Sequence, residues 1–522
     1  MSSSLEHRLL EEVVGRHEAV GDAARAEALR AQRDAGKLTA RQRVAALVDP
    51  GSFIETGALA EPARSTSHTM NIAAPADGVI TGSARVDGRP VGIISFDFSV
   101  LGGSNGAVGG QKVNAVVKSC FTTGSPLVML LDGGGHRIQE GLDARHFAHG
   151  FDFFALQAQL SGWVPMVAAV LGPGFAGPSN FAAMADFVVM NRATATMGVA
   201  GPALVRAATG EEIGKYELGG ASVQTDLYGL ADLAVGSDQE ALDAIAHFLS
   251  YLPSNAGEDP PVIDAQDADD RREEWLADAV PANGRAAYDV LRIVTSLADS
   301  DSVFELKPTF ARNVVTALGR MAGRPVGFIA NQPSYLAGTL DASACEKAAH
   351  FISVCDAYGL ALIYLIDVPG FLVGSEAERS GLGRRSGRML YELGQATVPR
   401  MSVVLRKGYG LGYIAMCGGR SFDPELCVAW PTAEISAMSV EGAVDIAYRR
   451  ELEADPDPSR RRQQLIDGFR SQLGALTAAQ GFGIDDVIDP RDTRRILIEA
   501  LRRSPLRRPP TPVSKVHGIS PI

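Results

Sequence analysis

The chain has 522 residues, 46% hydrophobic and 21% charged, with 56 glycines and a formal net charge of −12, so it holds enough apolar material for two large domains. The acidic balance excludes a nucleic-acid surface, which clustered Lys and Arg would have to supply, and no apolar run approaches the ~18 residues of a membrane span. The five cysteines (Cys120, Cys345, Cys355, Cys417, Cys427) are scattered and form no Cys-x-x-Cys pair, so neither a disulfide framework nor a bound metal is expected.

In chain order, Met1 and three serines lead into a charged segment with no signal-like apolar region, and a cytoplasmic location is expected. Residues 5–35, rich in Ala, Glu, Arg and Leu, read as an amphipathic helix packed on the body and ended by Gly36. A strand over Val91–Phe98, a helix from about Lys112 to Thr122 and a strand over Leu127–Asp132 follow. Their apolar runs are continuous rather than alternating, as in strands covered on both faces. Pro253–Pro281, with Glu-Asp-Pro-Pro and many charges, reads as an exposed linker, which gives domains 1–260 and 261–522.

After the linker the pattern returns. Gly88-Arg-Pro-Val-Gly-Ile-Ile94 recurs as Gly323-Arg-Pro-Val-Gly-Phe-Ile329, 235 positions later (323 less 88). The same offset relates Lys112 to Lys347, Cys120 to Cys355, Gly124 to Gly359, Asp132 to Asp367 and Gly135 to Gly370. The counterpart elements are Val326–Ala330, Cys345–Ala357 and Leu360–Asp367. Repeated β/α units with layered sheets, an α/β fold made by tandem duplication, are implied.

Three local patterns carry little. Gly172-Pro-Gly174-Phe-Ala-Gly177 fits G-x-G-x-x-G but lacks the acidic residue of a dinucleotide site. Gly102-Gly-Ser104-Asn-Gly106 fits a hydrolase elbow with no assigned His and carboxylate partners. His146 and His149 have helical spacing without a third ligand. More informative is that in each half two apolar strands run straight into glycine turns. They are Asp132–His136 and Gly172–Gly177, then Asp367–Phe371 and Lys407–Gly412. Paired turns of this kind can aim main-chain N–H groups at one point, an oxyanion hole that needs no titratable group.

On these residues the chain resembles the β subunits of propionyl-CoA and acetyl-CoA carboxylases nearly end to end. Matching stretches include Gly36–Arg43, Gly135-His-Arg-Ile-Gln-Glu-Gly141, Thr209–Glu212, Glu217–Gly220, Asn331-Gln-Pro333, Asp367–Leu372, Ala429–Ile435 and His517–Ile522. The resemblance implies two crotonase-type β-β-α superhelix domains and a homo-hexamer built as a trimer of dimers. It also implies active sites formed by the N-domain of one subunit and the C-domain of its dimer partner. The activity implied is carboxyl transfer from carboxybiotin to the α-carbon of an acyl-CoA, with ATP-dependent biotin carboxylation and the biotin carrier on a separate α subunit.

The family's oxyanion holes map here onto Gly135, His136, Ala176 and Gly177, assigned to the acyl-CoA carbonyl, and onto Gly370, Phe371, Leu411 and Gly412, assigned to the biotin ureido oxygen. Phe175, Tyr409 and Ile414 are expected to touch substrate. The chain also departs from the family. His136 stands where relatives have Ala in Ser-Gly-Gly-Ala-Arg, Gly174-Phe-Ala-Gly-Pro178 replaces Cys-Ala-Gly-Gly-Ala, and Ile414 replaces the acyl-pocket Asp of propionyl-preferring relatives. A decarboxylase or transcarboxylase using the same half-reaction in reverse, and a non-catalytic paralogue that holds a complex together, are the alternatives left open.

Overall fold

The computed structural model describes residues 5–63, 74–142, 144–148, 150, 152–265, 267–281 and 283–508. His149 and the His517–Ile522 tail lie outside the described residues. The chain divides into two compact units, Met1–Glu258 and Asp259–Ile522.

The N-terminal unit holds a seven-stranded sheet in the order Ile54–Glu55, Val79–Val86, Arg89–Phe96, Leu127–Leu131, Met166–Val170, Phe187–Asn191 and Leu233–Val235. The first two joins are antiparallel and the other four parallel. The C-terminal unit repeats the scheme with Phe304–Leu306, Val314–Met321, Arg324–Asn331, Ala361–Val368, Arg400–Tyr409, Leu426–Ala429 and Asp486–Val487. Glu434–Ser436 pairs with the far end of Arg400–Tyr409. Leu127–Leu131 and Ala361–Val368 are buried along their whole lengths, which is why they read as unbroken apolar runs.

The repeated glycines, cysteines and lysines share a packing cause. A Cβ on Gly92 would lie 2.3 Å from Cys120 Sγ, and one on Gly327 would lie 2.6 Å from Cys355 Sγ. The helices Ala107–Thr123 and Ala342–Ala357 therefore press on their sheets at a point where only glycine fits. Lys112 Nζ donates to Ala76 O at 2.7 Å and to Val79 O, while Lys347 Nζ donates to Lys307 O, Phe310 O and Val314 O at 2.7–2.9 Å.

Two expectations change. The helix expected over 5–35 is broken into Leu5–Ala19, which has no buried residue, and Arg30–Asp34. The intervening turns are drawn onto the body by Arg25, whose Nη1 reaches Asp97 at 2.8 Å, and by Asp22, which accepts the Thr39 hydroxyl. Nor is all of Pro253–Pro281 free linker. Arg320 Nη1 donates to Pro261 O at 2.8 Å, and Arg271 Nη2 donates to Ser296 O and Ala298 O, both at 2.8 Å. Among the described residues no helix is long and apolar enough to cross a membrane.

Candidate active site

In the N-terminal unit the strand Leu127–Leu131 delivers the chain to Asp132, which is fully buried. Asp132 Oδ2 sits 2.6 Å from Lys37 Nζ and 2.8 Å from Arg43 Nη1, and Arg43 Nε reaches Asp238 at 2.8 Å. A buried carboxylate is tolerable only with such partners, and here they clamp the end of the strand. The following turn is held by main chain. Gly133 N–H donates to Pro173 O at 2.8 Å and Gly134 N–H to Gly102 O at 3.0 Å, while Gly135 O accepts from Asn105 N–H at 2.7 Å.

Gly135 has φ +84°, in the left-handed region that glycine adopts without penalty. A Cβ there would lie 3.3 Å from Phe175 O, 3.4 Å from Ala176 Cβ and 3.7 Å from Gly177 N. The fold thus brings Gly135, Ala176 and Gly177 together, and Gly177 opens the helix Gly177–Ala183 with Pro178 in its first turn. Among the described residues no acceptor takes the N–H of Gly135, and Gly177, at the first position of its helix, has no intrahelical acceptor for its own. Ala176 differs from expectation. Its N–H donates to Gly198 O at 2.8 Å, so this amide holds the strand edge instead of facing the turn.

The C-terminal unit repeats the arrangement. Asp367 is fully buried, 2.9 Å from Arg406 Nη2, and accepts the Tyr288 hydroxyl at 3.0 Å. Gly370 O accepts from Leu340 N–H at 3.1 Å, the counterpart of the Asn105–Gly135 bond. A Cβ on Gly412 would lie 2.9 Å from Gly370 Cα and 3.0 Å from Gly370 C, so these two glycines meet as Gly135 and Gly177 do. A Cβ on Gly370 itself would face open space. Among the described residues the N–H groups of Gly370 and Phe371 have no acceptor, Gly412 lies in the first turn of the helix Gly410–Ala415, and Leu411 is half exposed beside them. Asp132 and Asp367 were legible as a repeat but not as anchors; a lone Asp closing an apolar strand is the signal that could have found them.

The side chains expected at substrate lie in different surroundings. His136 is half-buried, its ring 5.6 Å from that of Phe147, and lines a cavity of ≈ 300 Å³ with Asn105, Asn114, Asp152 and Phe181. The Phe175 ring lies against Gly198, Gly201 and Gly219, where a Cβ would meet it at 3.1–3.4 Å. Tyr409 donates its hydroxyl to Glu434 Oε2 at 2.6 Å, and burial together with that carboxylate pushes the phenol well above its ordinary range. Leu411 and Ile414 line an open, largely apolar pocket of ≈ 620 Å³ with Tyr413, Ile435, Ala437 and Ile484. Burial depresses Lys407 against the opposing pull of Asp367. Among the described residues no group of three His, Cys, Asp or Glu side chains is arranged to hold a metal.

Chemically, each unit offers main-chain donors in a fixed turn backed by buried ion pairs, which suits the stabilisation of an oxyanion. Residues 31–518 match the family model described as carboxyl transferase domain. The chain is 40% identical over 493 residues to the propionyl-CoA carboxylase carboxyltransferase subunit of Haloferax mediterranei, covering 94% of this chain and 95% of that one. It is likewise 40% identical to the methylmalonyl-CoA carboxyltransferase 12S subunit of Propionibacterium freudenreichii subsp. shermanii, covering 94% and 93%. A crystal structure of transcarboxylase 12S, described as a hexamer with methylmalonyl-coenzyme A and methylmalonic acid bound, superposes with a TM-score of 0.93 at 37% identity, covering 100% of this chain and 99% of that one.

Proposed function

The chain belongs to the carboxyl transferase domain family, and from that premise we propose that it is the carboxyltransferase subunit of a biotin-dependent acyl-CoA carboxylase. Its fold is the tandem crotonase-type α/β arrangement expected from the sequence. The observation that carries the reading is the duplicated turn, Gly135 against Gly177 and Gly370 against Gly412, with the N–H groups of Gly135, Gly370 and Phe371 taken by no acceptor among the described residues. These donors fit the two oxygens that gain charge during the transfer, one on the thioester and one on the biotin ureido group.

Biotin on a partner subunit, when bound, supplies the carboxyl group and the proton acceptor for the substrate α-carbon. This chain's own part is electrostatic and steric. The N–H groups of Gly135, His136 and Gly177 would hold the thioester oxygen as it becomes an enolate, and those of Gly370, Phe371, Leu411 and Gly412 would hold the ureido oxygen. Donors fixed by Asp132 and Asp367 need no reorganisation as charge develops, and removing one such donor typically costs about 10²–10³ in kcat. No side-chain base is required, so most of the 61 acidic residues are free to serve as solvated surface. Six copies in a closed assembly and a cytoplasmic setting complete the proposal; the hexamer is supported by the 12S likeness and the setting by five free, buried cysteines.

The test is labelled-bicarbonate fixation by the chain with its biotin-bearing partner across acetyl-, propionyl-, butyryl- and longer acyl-CoA thioesters, for wild type and Ile414→Asp. Wild type is expected to fix label with ATP, and Ile414→Asp to change the substrate ranking by about tenfold or more in kcat/KM, since one methylene in an apolar pocket is worth about 1–3 kcal/mol. No transfer with any thioester, in either direction, overturns the function; an unchanged ranking removes Ile414 from the acyl pocket. A second reading, the same half-reaction run as a transcarboxylase, is favoured by the likeness to the 12S subunit. ATP-independent exchange of carboxyl groups between thioesters and keto acids would identify it.

A further inference from the structure

Behind the N-terminal glycine turn lies a buried charge cluster with no equivalent among the described residues of the other unit. Arg137, its side chain 1% exposed, donates from Nη1 to Asp77 Oδ1 at 2.6 Å and to Glu140 Oε1 at 2.8 Å, and from Nη2 to Ser104 O at 3.2 Å. Each carboxylate spends its second oxygen on one helix. Asp77 Oδ2 accepts Gly109 N–H at 2.7 Å and Glu140 Oε2 accepts Ala107 N–H at 2.8 Å, both in the first turn of Ala107–Thr123. The two carboxylates thus join one guanidinium to a helix N-terminus, whose dipole favours their negative charge.

The cluster is built into the backbone. Asp77 and Ala76 have φ 49° and 54°, a conformation L-residues rarely take, and a Cβ on Gly106 would lie 2.3 Å from Arg137 Nη1. Arg137 N–H donates to Asn105 O at 3.0 Å while Asn105 N–H donates to Gly135 O at 2.7 Å, so the guanidinium and the turn are tied to the same residue. At the positions 235 further on stand Arg312, Leu372 and Ser375, and there the helix is capped by Asp341, whose Oδ1 accepts Ala344 N–H at 2.8 Å.

We infer that Arg137, through Asp77 and Glu140, is a positioning residue for the N-terminal oxyanion hole: it locks the Gly135–His136 amides to the start of the Ala107–Thr123 helix. The inference rests on the carboxyltransferase reading. Misplacing a reacting group by about 1 Å costs on the order of 10² in rate. Arg137→Lys, which keeps the charge but loses the planar fork, is expected to lower kcat for carboxylation about 10–100-fold while KM for acyl-CoA stays within about threefold. Glu140→Gln keeps an acceptor for Ala107 N–H but turns its amide NH2 toward Arg137, and is expected to lower kcat about fivefold, beyond any loss of folded fraction, with the assembled mass unchanged.

The experiment measures kcat, KM, melting temperature and mass for wild type and both variants with the biotin-bearing partner. Wild-type kcat in Glu140→Gln, or a loss in either variant that only tracks the folded fraction, overturns the inference. If Arg137→Lys does not fold, Glu140→Gln decides alone. Failure of the wild type to transfer carboxyl groups refutes the function instead and is thereby distinguished.

Discussion

Lys112 is a residue whose charge the fold opposes. It is 7% exposed, its ammonium rests on carbonyl oxygens, and desolvation lowers its pKa from 10.5 to about 8. Below about 8 both the folded and the unfolded chain hold the proton, and the burial cost is present in full, about 3 kcal/mol to order of magnitude. Between about 8 and 10.5 the unfolded chain still binds the proton that the folded chain has released, so this contribution makes stability rise with pH through that window. The stability of wild type minus that of Lys112→Met, from denaturant curves at several pH values, is therefore expected to be flat below about 8 and to climb above it. A difference that stays flat through pH 10 would mean that the ammonium is not desolvated. At this scale the sequence was read unevenly. The glycine turns that carry Gly135, Gly177, Gly370 and Gly412 were visible where apolar strands end, and the family resemblance implied their oxyanion role. The availability of the Ala176 amide was not, because its acceptor Gly198 is brought up by a separate strand. Arg137 and Asp77 are 60 residues apart and meet only through tertiary folding, which no local pattern encodes.

Among elements, the strand–helix–strand order and the approximate bounds of each piece were legible in both halves from continuous apolar runs. What could not be read was why Gly92 and Cys120 recur together. They are one contact, the helix Ala107–Thr123 lying so close to its sheet that a methyl group on Gly92 has no room. Gly92→Ala should cost about 1–3 kcal/mol through overpacking. Much of that loss should return when Cys120→Ala is added, because the double change removes the sulfur the methyl would strike. Denaturant midpoints for the four members of the cycle check this, and additive losses would place the strain elsewhere. The helix Leu5–Ala19 shows the opposite limit. Its apolar stripe was readable, but Leu5, Leu9, Leu10, Val13 and Val14 are all exposed, since periodicity says that a face is apolar and not what it meets.

For the molecule as a whole, the family was legible from motifs spread along nearly the full chain, and the match over residues 31–518 upholds it. Assembly is a matter of surfaces and remains a prediction. Six copies of a 55.0 kDa chain should sediment and scatter as a particle of about 330 kDa, whereas a stable monomer at micromolar concentration would contradict the proposed hexamer. The paired thiols add a practical consequence. Burial drives Cys120 up to about 12 and holds Cys355 well above its ordinary range, so neither offers a thiolate to an alkylating reagent while its helix stays down. Because the two cysteines occupy equivalent places in the two halves, their rates of alkylation act as matched internal clocks, each timing how often its own half breathes open and neither needing an engineered label.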